Sequence, residues 1–159
     1  PEKDAEGTKD HVRVLATGMP VGGYWLFTVP VKDMPAGTYN ITYNQSASAT
    51  GPNYFIMEVS VDGQNWMPVG AQTTTETFSD GTGGREVTWT YAINRGGVNA
   101  ANVAYVVDVN YQAPALPGEN TLYIRAKIAD NIAYGATKAM GGSGTNRIWG
   151  PCEVTFTKK

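Results

Sequence analysis

One cysteine and one histidine stand among the 159 residues. Cys152 has no partner for an internal disulfide, which removes both a disulfide scaffold and a cysteine-based zinc site and leaves the core to hold by packing alone. No basic residue adjoins Cys152 to lower its pKa, so it reads as a half-buried structural thiol. His11 falls on an opening strand expected at the surface, a poor place for histidine-based nucleophilic catalysis. Charge is scarce as well: 16% of residues are charged, the net charge is -2 and the pI is about 5.3. That balance offers no footprint for a polyanion and argues against nucleic acid as a partner. No apolar run approaches the roughly 18 residues of a membrane span, so no transmembrane segment is expected. Residues 1–10 carry neither an initiator Met nor a signal-type apolar stretch. They read as a polar linker or trimmed end, with residues 11–159 forming a single β-sandwich domain.

Glycine (19), proline (9), tyrosine (9) and tryptophan (4) are what the chain has in quantity, beside many threonines. This is the composition of a turn-rich all-β protein. Two-residue alternation confirms the class, because successive side chains of a strand point to opposite faces. Strands are predicted over His11–Ala16, Tyr24–Val31, Thr38–Ser48, Asn53–Val61, Asn65–Val69, Arg85–Tyr91, Val103–Tyr111, Glu119–Asp130 and Ile148–Thr157. Apolar residues stand on both faces of Tyr24–Val31, which reads as largely buried. Phe55, Met57, Val59 and Val61 are expected inward, and Asp62-Gly63 supplies a hairpin turn into the next strand. The polar stretch Ala71–Gly84 reads as an edge strand or a long surface loop. Eight or nine strands, too closely spaced for intervening helices, predict a two-sheet antiparallel β-sandwich of jelly-roll type.

Chemistry-bearing groups are sparse. Glu58, Asp62, Glu86 and Asp108 lie in or beside strands, where paired carboxylates could hydrolyse glycosides, but no spacing selects a pair and solvated strand carboxylates are ordinary. The chain is therefore expected not to be an enzyme and to carry no cofactor, apart from a structural calcium that loop oxygens of Asp80, Asp130 and Asn131 could supply without any EF-hand spacing. Ser79–Gly84 and Gly141–Gly144 lack the Gly-Lys-Ser/Thr of a phosphate loop and read as flexible turns. The aromatics remain. Sugar rings stack their apolar faces on exposed indole or phenol rings, and although Trp25 and Trp89 alternate into the core, Trp149 beside the glycine-rich loop and Trp66 beside the hairpin are candidates for a glycan platform. Tyr134, Asn131, Asn146 and Arg147 would complete a polar and aromatic rim.

Tyr24-Trp25-Leu26-Phe27, Met34-Pro35-Ala36-Gly37-Thr38 and the run Gly51 to Trp66, with its E-x-S-x-D-G-x-x-W hairpin, together resemble secreted β-sandwich modules of Bacteroidetes. The late strand Leu122-Tyr123-Ile124-Arg125 is similar to theirs too. Such modules look like galactose-binding-type jelly rolls and serve as accessory parts of surface and secreted multidomain proteins. The resemblance implies a non-catalytic accessory module located outside the cytoplasm, extracellular, at the cell surface or periplasmic, and it transfers no binding residues. The expected function is thus carbohydrate binding or association with glycans through Trp149, Tyr134, Trp66, Asn131, Asn146 and Arg147. The alternative is a structural or adhesion module that contacts neighbouring domains of a larger protein without a small ligand.

Overall fold

A computed structural model describes residues 2–3, 10–11, 13–77, 83–94, 103–133, 139–150 and 152–159. Every regular element among them is a strand: β1 (Glu2–Lys3), β2 (Asp10–His11), β3 (Arg13–Thr17), β4 (Tyr24–Met34), β5 (Gly37–Ala47), β6 (Tyr54–Ser60), β7 (Met67–Pro68), β8 (Gln72–Thr77), β9 (Gly84–Trp89), β10 (Tyr91–Ala92), β11 (Tyr105–Ala113), β12 (Leu116–Ile128), β13 (Thr145–Trp149) and β14 (Thr155–Lys158). The count exceeds the eight or nine predicted, partly because two expected strands are each broken into two. Arg85–Tyr91 becomes β9 and β10, which pair in different sheets, and the closing strand becomes β13 and β14. β13 and β14 both pair with the same side of β5, at Gln45–Ala47 and Tyr39–Thr42, so the break is an irregularity within one path. It contains Cys152, held at φ 62, a left-handed conformation that interrupts a strand. No helix among the described residues is long and apolar enough to cross a membrane.

One sheet runs β10-β6-β12-β4 with β7 hydrogen-bonded to β6, and the other runs β11-β5-β13-β3 with β14 on β5; all pairs are antiparallel. The pairs are nested. β8 meets β9, β6 meets β10, β5 meets β11 and β4 meets β12, as if one long hairpin had been rolled over on itself, and this is jelly-roll connectivity.

The inner faces of the two sheets pack together through Tyr39, Ile41, Tyr43, Val107 and Val109 from one and Phe55, Met57, Val59, Leu122, Ile124 and Ala126 from the other. Burying these side chains supplies the main driving force, about 1.5–3 kcal/mol for each of the larger aliphatic and aromatic ones. A hydrogen-bonded chain crosses this apolar interior. Tyr43 donates to the Tyr91 hydroxyl (2.6 Å), Tyr91 to Gln45 Oε1 (2.6 Å), Gln45 Nε2 to Asn146 Oδ1 (2.8 Å), and Asn146 Nδ2 approaches Met19 Sδ at 3.7 Å. Burial pushes both phenols well above their ordinary pKa, so they remain neutral donors.

Two sequence expectations are corrected here. Among the described residues β4 is an edge strand, paired only with β12. Its inward residues Trp25, Phe27, Val29 and Val31 are half-buried against the core, whereas Tyr24 and Leu26 are 46% and 49% exposed. Pro30 fits this position, since a residue without an N–H is tolerated where a strand has a free side. Val61 is 45% exposed, because β6 ends at Ser60 and the chain turns before Val61 can follow the alternation. A second, smaller core of Tyr54, Val87, Trp89 and Ile132 lies apart from the main one and receives its Val87 and Trp89 from the β8–β9 hairpin. The stretch read as an edge strand or a loop is thus a paired strand over Gln72–Thr77, with residues 78–82 outside the described residues.

Candidate functional site

Five of the six residues expected to form a glycan rim are described, and these five do not share one face. Asn146, Arg147 and Trp149 lie on β13, which is flanked by β3 on one side and β5 on the other. All three are buried, Trp149 to 5% exposure, and its indole Nε1 donates to Ser46 Oγ at 2.7 Å. An indole covered in this way offers no open ring face to a sugar. Asn146 belongs to the core chain described above, in contact with Gln45. Sequence reads the segment up to Asn146 as irregular and Trp149 as lying beside it because of the glycines there, but Gly141 and Gly144 serve a close approach rather than flexibility. A Cβ on Gly144 would stand 2.2 Å from the carbonyl oxygen of Thr50, and the segments are tied by Gly18 N–H to Gly144 O (2.9 Å), Gly144 N–H to Gly141 O (2.9 Å) and Gly141 N–H to Thr50 O (3.0 Å). Asn131 is exposed, with its Oδ1 accepting from the Met140 N–H at 3.1 Å. Tyr134 lies outside the described residues.

Trp66 is different. Ser60-Val61-Asp62-Gly63-Gln64-Asn65 closes the β6–β7 turn around the Asp62 carboxylate, which accepts from the N–H groups of Gln64 and Asn65 (2.8 and 2.7 Å), from Asn65 Nδ2 (2.6 Å) and from Ser60 Oγ (2.9 Å). The bonds from Asn65, then that from Gln64, then that from Ser60 hold the Asp62 carboxyl well below the usual carboxylate range. The turn delivers half-buried Trp66 onto the outer face of the β6–β12–β4 sheet. There the guanidinium carbon of Arg125 sits 4.0 Å from the Trp66 ring centroid and 5.3 Å from that of Tyr24.

Register explains the grouping. Across the three strands Leu26, Arg125 and Glu58 form one row, Tyr24, Lys127 and Ile56 the next, and Thr28, Tyr123 and Ser60 a third. Alternation puts all nine on the same outward side. Glu58 ties the rows together: Arg125 Nε donates to Oε2 (2.5 Å) and Lys127 Nζ to Oε1 (2.7 Å). Burial alone would raise the Glu58 pKa, but the hydrogen bonds from Lys127 and Arg125 and their positive charges together outweigh it and hold the carboxyl below its ordinary value. Arg125 and Lys127 keep 19% and 27% of their side-chain surface accessible, over a Glu58 side chain that keeps 10%. The sequence places Tyr123, Arg125 and Lys127 on a wet face, but Tyr24, Glu58 and Trp66 come from distant segments that only the pairing of β12 with both neighbours joins to them.

The outer face of the other sheet is a polar grid of Thr38, Asn40, Thr42 and Asn44 on β5 opposite Gln112, Asn110, Asp108 and Val106 on β11. It is internally bonded, Asn40 Nδ2 to Asp108 Oδ1 (2.5 Å) and Gln112 Nε2 to Thr38 Oγ1 (2.8 Å). A shallow recess of ≈ 160 Å³ ends it, walled by Thr42, Asn44, Val106, Trp149, Glu153 and Thr155.

Of the residues expected to offer oxygens to calcium, Asp130 and Asn131 have other partners. Asp130 accepts from Arg85 Nε (3.1 Å) and is ion-paired with that guanidinium, while Asp80 lies outside the described residues. Among the described residues no group of three His, Cys, Asp or Glu converges to hold a metal ion. Cys152 is half-buried, packed against the main core. His11 lies in β2, opposite Glu2. No protein-family model matches the chain, and no significant match to it exists among curated proteins or solved structures.

Proposed function

We propose that this domain is a non-catalytic, glycan-binding accessory module of an exported bacterial protein, and that it works through the outer face of the β6–β12–β4 sheet rather than through loops at one end. The observation that carries this reading is the stack of Trp66, Arg125 and Tyr24 on an open sheet face, fixed from below by Glu58. A saccharide gains from an apolar ring to stack on and from fixed polar groups that set its orientation. An open face, without an enclosing cavity, suits a polymer lying along it better than an isolated small molecule. The carboxylates support the non-catalytic part of the proposal. A glycosidase acid requires a raised pKa, whereas Glu58 and Asp62 are both lowered and have their oxygens occupied.

The test is a titration of the protein against plant, microbial and host glycans, followed by tryptophan fluorescence and calorimetry, with Trp66→Ala and Tyr24→Ala beside wild type. Saturable binding that is lost in both variants, with unfolding temperatures close to wild type, is expected. Binding that survives both substitutions, or no binding to any glycan, overturns the proposal. A second reading, adhesion to a neighbouring domain, draws on the free edge of β4 with exposed Tyr24 and Leu26, since an unpaired edge can accept a strand from another chain.

A further inference from the structure

We infer that the saccharide taken by the Trp66–Arg125–Tyr24 face is acidic, a polymer bearing uronate carboxylates. This rests on the glycan reading above and adds the charge of the ligand. The charged groups of the face are two cations and one carboxylate. Glu58 accepts from Arg125 with one oxygen and from Lys127 with the other, so its acceptor sites facing the cations are taken. Among the described residues the Arg125 side chain makes no other hydrogen bond, which leaves both terminal nitrogens of the guanidinium undirected, and Lys127 uses its ammonium on Glu58 alone. One carboxylate against two cations leaves one positive charge on the three-residue cluster. The other anions near in sequence have partners of their own: Asp130 is paired with Arg85, and Asp62 is turned into its own hairpin, where Ser60, Gln64 and Asn65 donate to it.

A neutral sugar would meet these donors with hydroxyls. A carboxylate meets them with charge-assisted bonds roughly twice as strong, and the planar guanidinium fork matches its two oxygens. Arg125 is also pre-positioned: its contacts with the Trp66 and Tyr24 rings and its bond to Glu58 restrict its rotamers, so less freedom is lost on binding. Arg125 and Lys127 are two residues apart on one strand face, a separation close to 7 Å by strand geometry, which lets one ligand carboxylate address both or successive units address each.

The experiment uses the full chain with polygalacturonate and its methyl-esterified form, which keeps the sugar rings and removes the charge. Retention by polygalacturonate, weakened by added salt and about tenfold or more weaker for the ester, is expected. Lys127→Met should abolish that preference at a temperature where its melting curve shows the variant folded. Should Arg125→Gln prove unstable, the lysine variant and the salt titration still decide. Equal binding of both polymers, or binding of neutral glycans only, overturns the acidic preference and leaves the glycan reading standing. No binding to any acidic or neutral glycan overturns both.

Discussion

Glu58 is a polar residue at 8% exposure on the β6–β12–β4 sheet, and its worth depends on its partners. Two cations bind it, so its carboxyl ionises more readily in the folded chain than in the unfolded one. A carboxyl with a depressed folded-state pKa contributes stability that is fully present above its unfolded value, about 4.3 for Glu, and is lost as the pH falls through the folded value. Glu58→Gln should therefore be less stable than wild type at neutral pH and should show a shallower loss of stability below about pH 4. Denaturant melts from pH 2 to 7 check this, and parallel curves for the two proteins would contradict it. The Asp62 carboxyl is shifted in the same direction by the donors of its turn. The chemistry of both residues was partly legible beforehand. Asp62-Gly63 announces its turn, because a short carboxylate bonds the N–H groups two and three residues on. The partners of Glu58 were not, since they lie 67 and 69 residues away.

At the level of elements, β13 shows why the candidate rim was misplaced. Gly141–Gly144 looks like loop punctuation, and a tryptophan after such a loop looks accessible. In the structure Gly144 is buried against Thr50, and β13 begins at once between two neighbours. Gly144→Ala should cost about 1–3 kcal/mol, because its Cβ would collide with a backbone oxygen that has no rotamer to escape into. Gly142 is the control: a Cβ there meets nothing within 4 Å, so Gly142→Ala should stay within about 0.5 kcal/mol of wild type. Urea midpoints of the two variants separate close approach from flexibility, and equal midpoints would refute the packing account. Strand existence was legible for β5, β6, β11 and β12, where alternation is strong. The exposure of the outer side of β4 was not, because apolar residues on both faces read as burial, and which face packs on the core depends on contacts between distant segments.

For the whole molecule, the two cores imply unequal local stability. The main core joins both sheets, whereas β8–β9 is a two-stranded sheet anchored by Val87 and Trp89 to Tyr54 and Ile132. A two-stranded hairpin is marginal without such packing, and small packing units open at lower free energy than the global transition. Amides of Gln72–Thr77 and Gly84–Trp89 should therefore exchange before those of β5, β6 and β12 in native-state hydrogen exchange, with a common free energy for all strands as the refuting result.

By itself the sequence determined the fold class, the half-wet strands, the Asp62 turn and the need for a core without disulfides, because composition, period and turn chemistry are local properties carried by neighbouring residues. Only the tertiary structure decided the rest. Which edge is free, which aromatics are covered and which cations share an anion all depend on strand order and register, and these are set by contacts between segments far apart in the chain. Trp149 and Trp66 carry the same side chain beside similar turns; β3 and β5 flank the strand of the first, whereas the second lies under Arg125 on an outer sheet face.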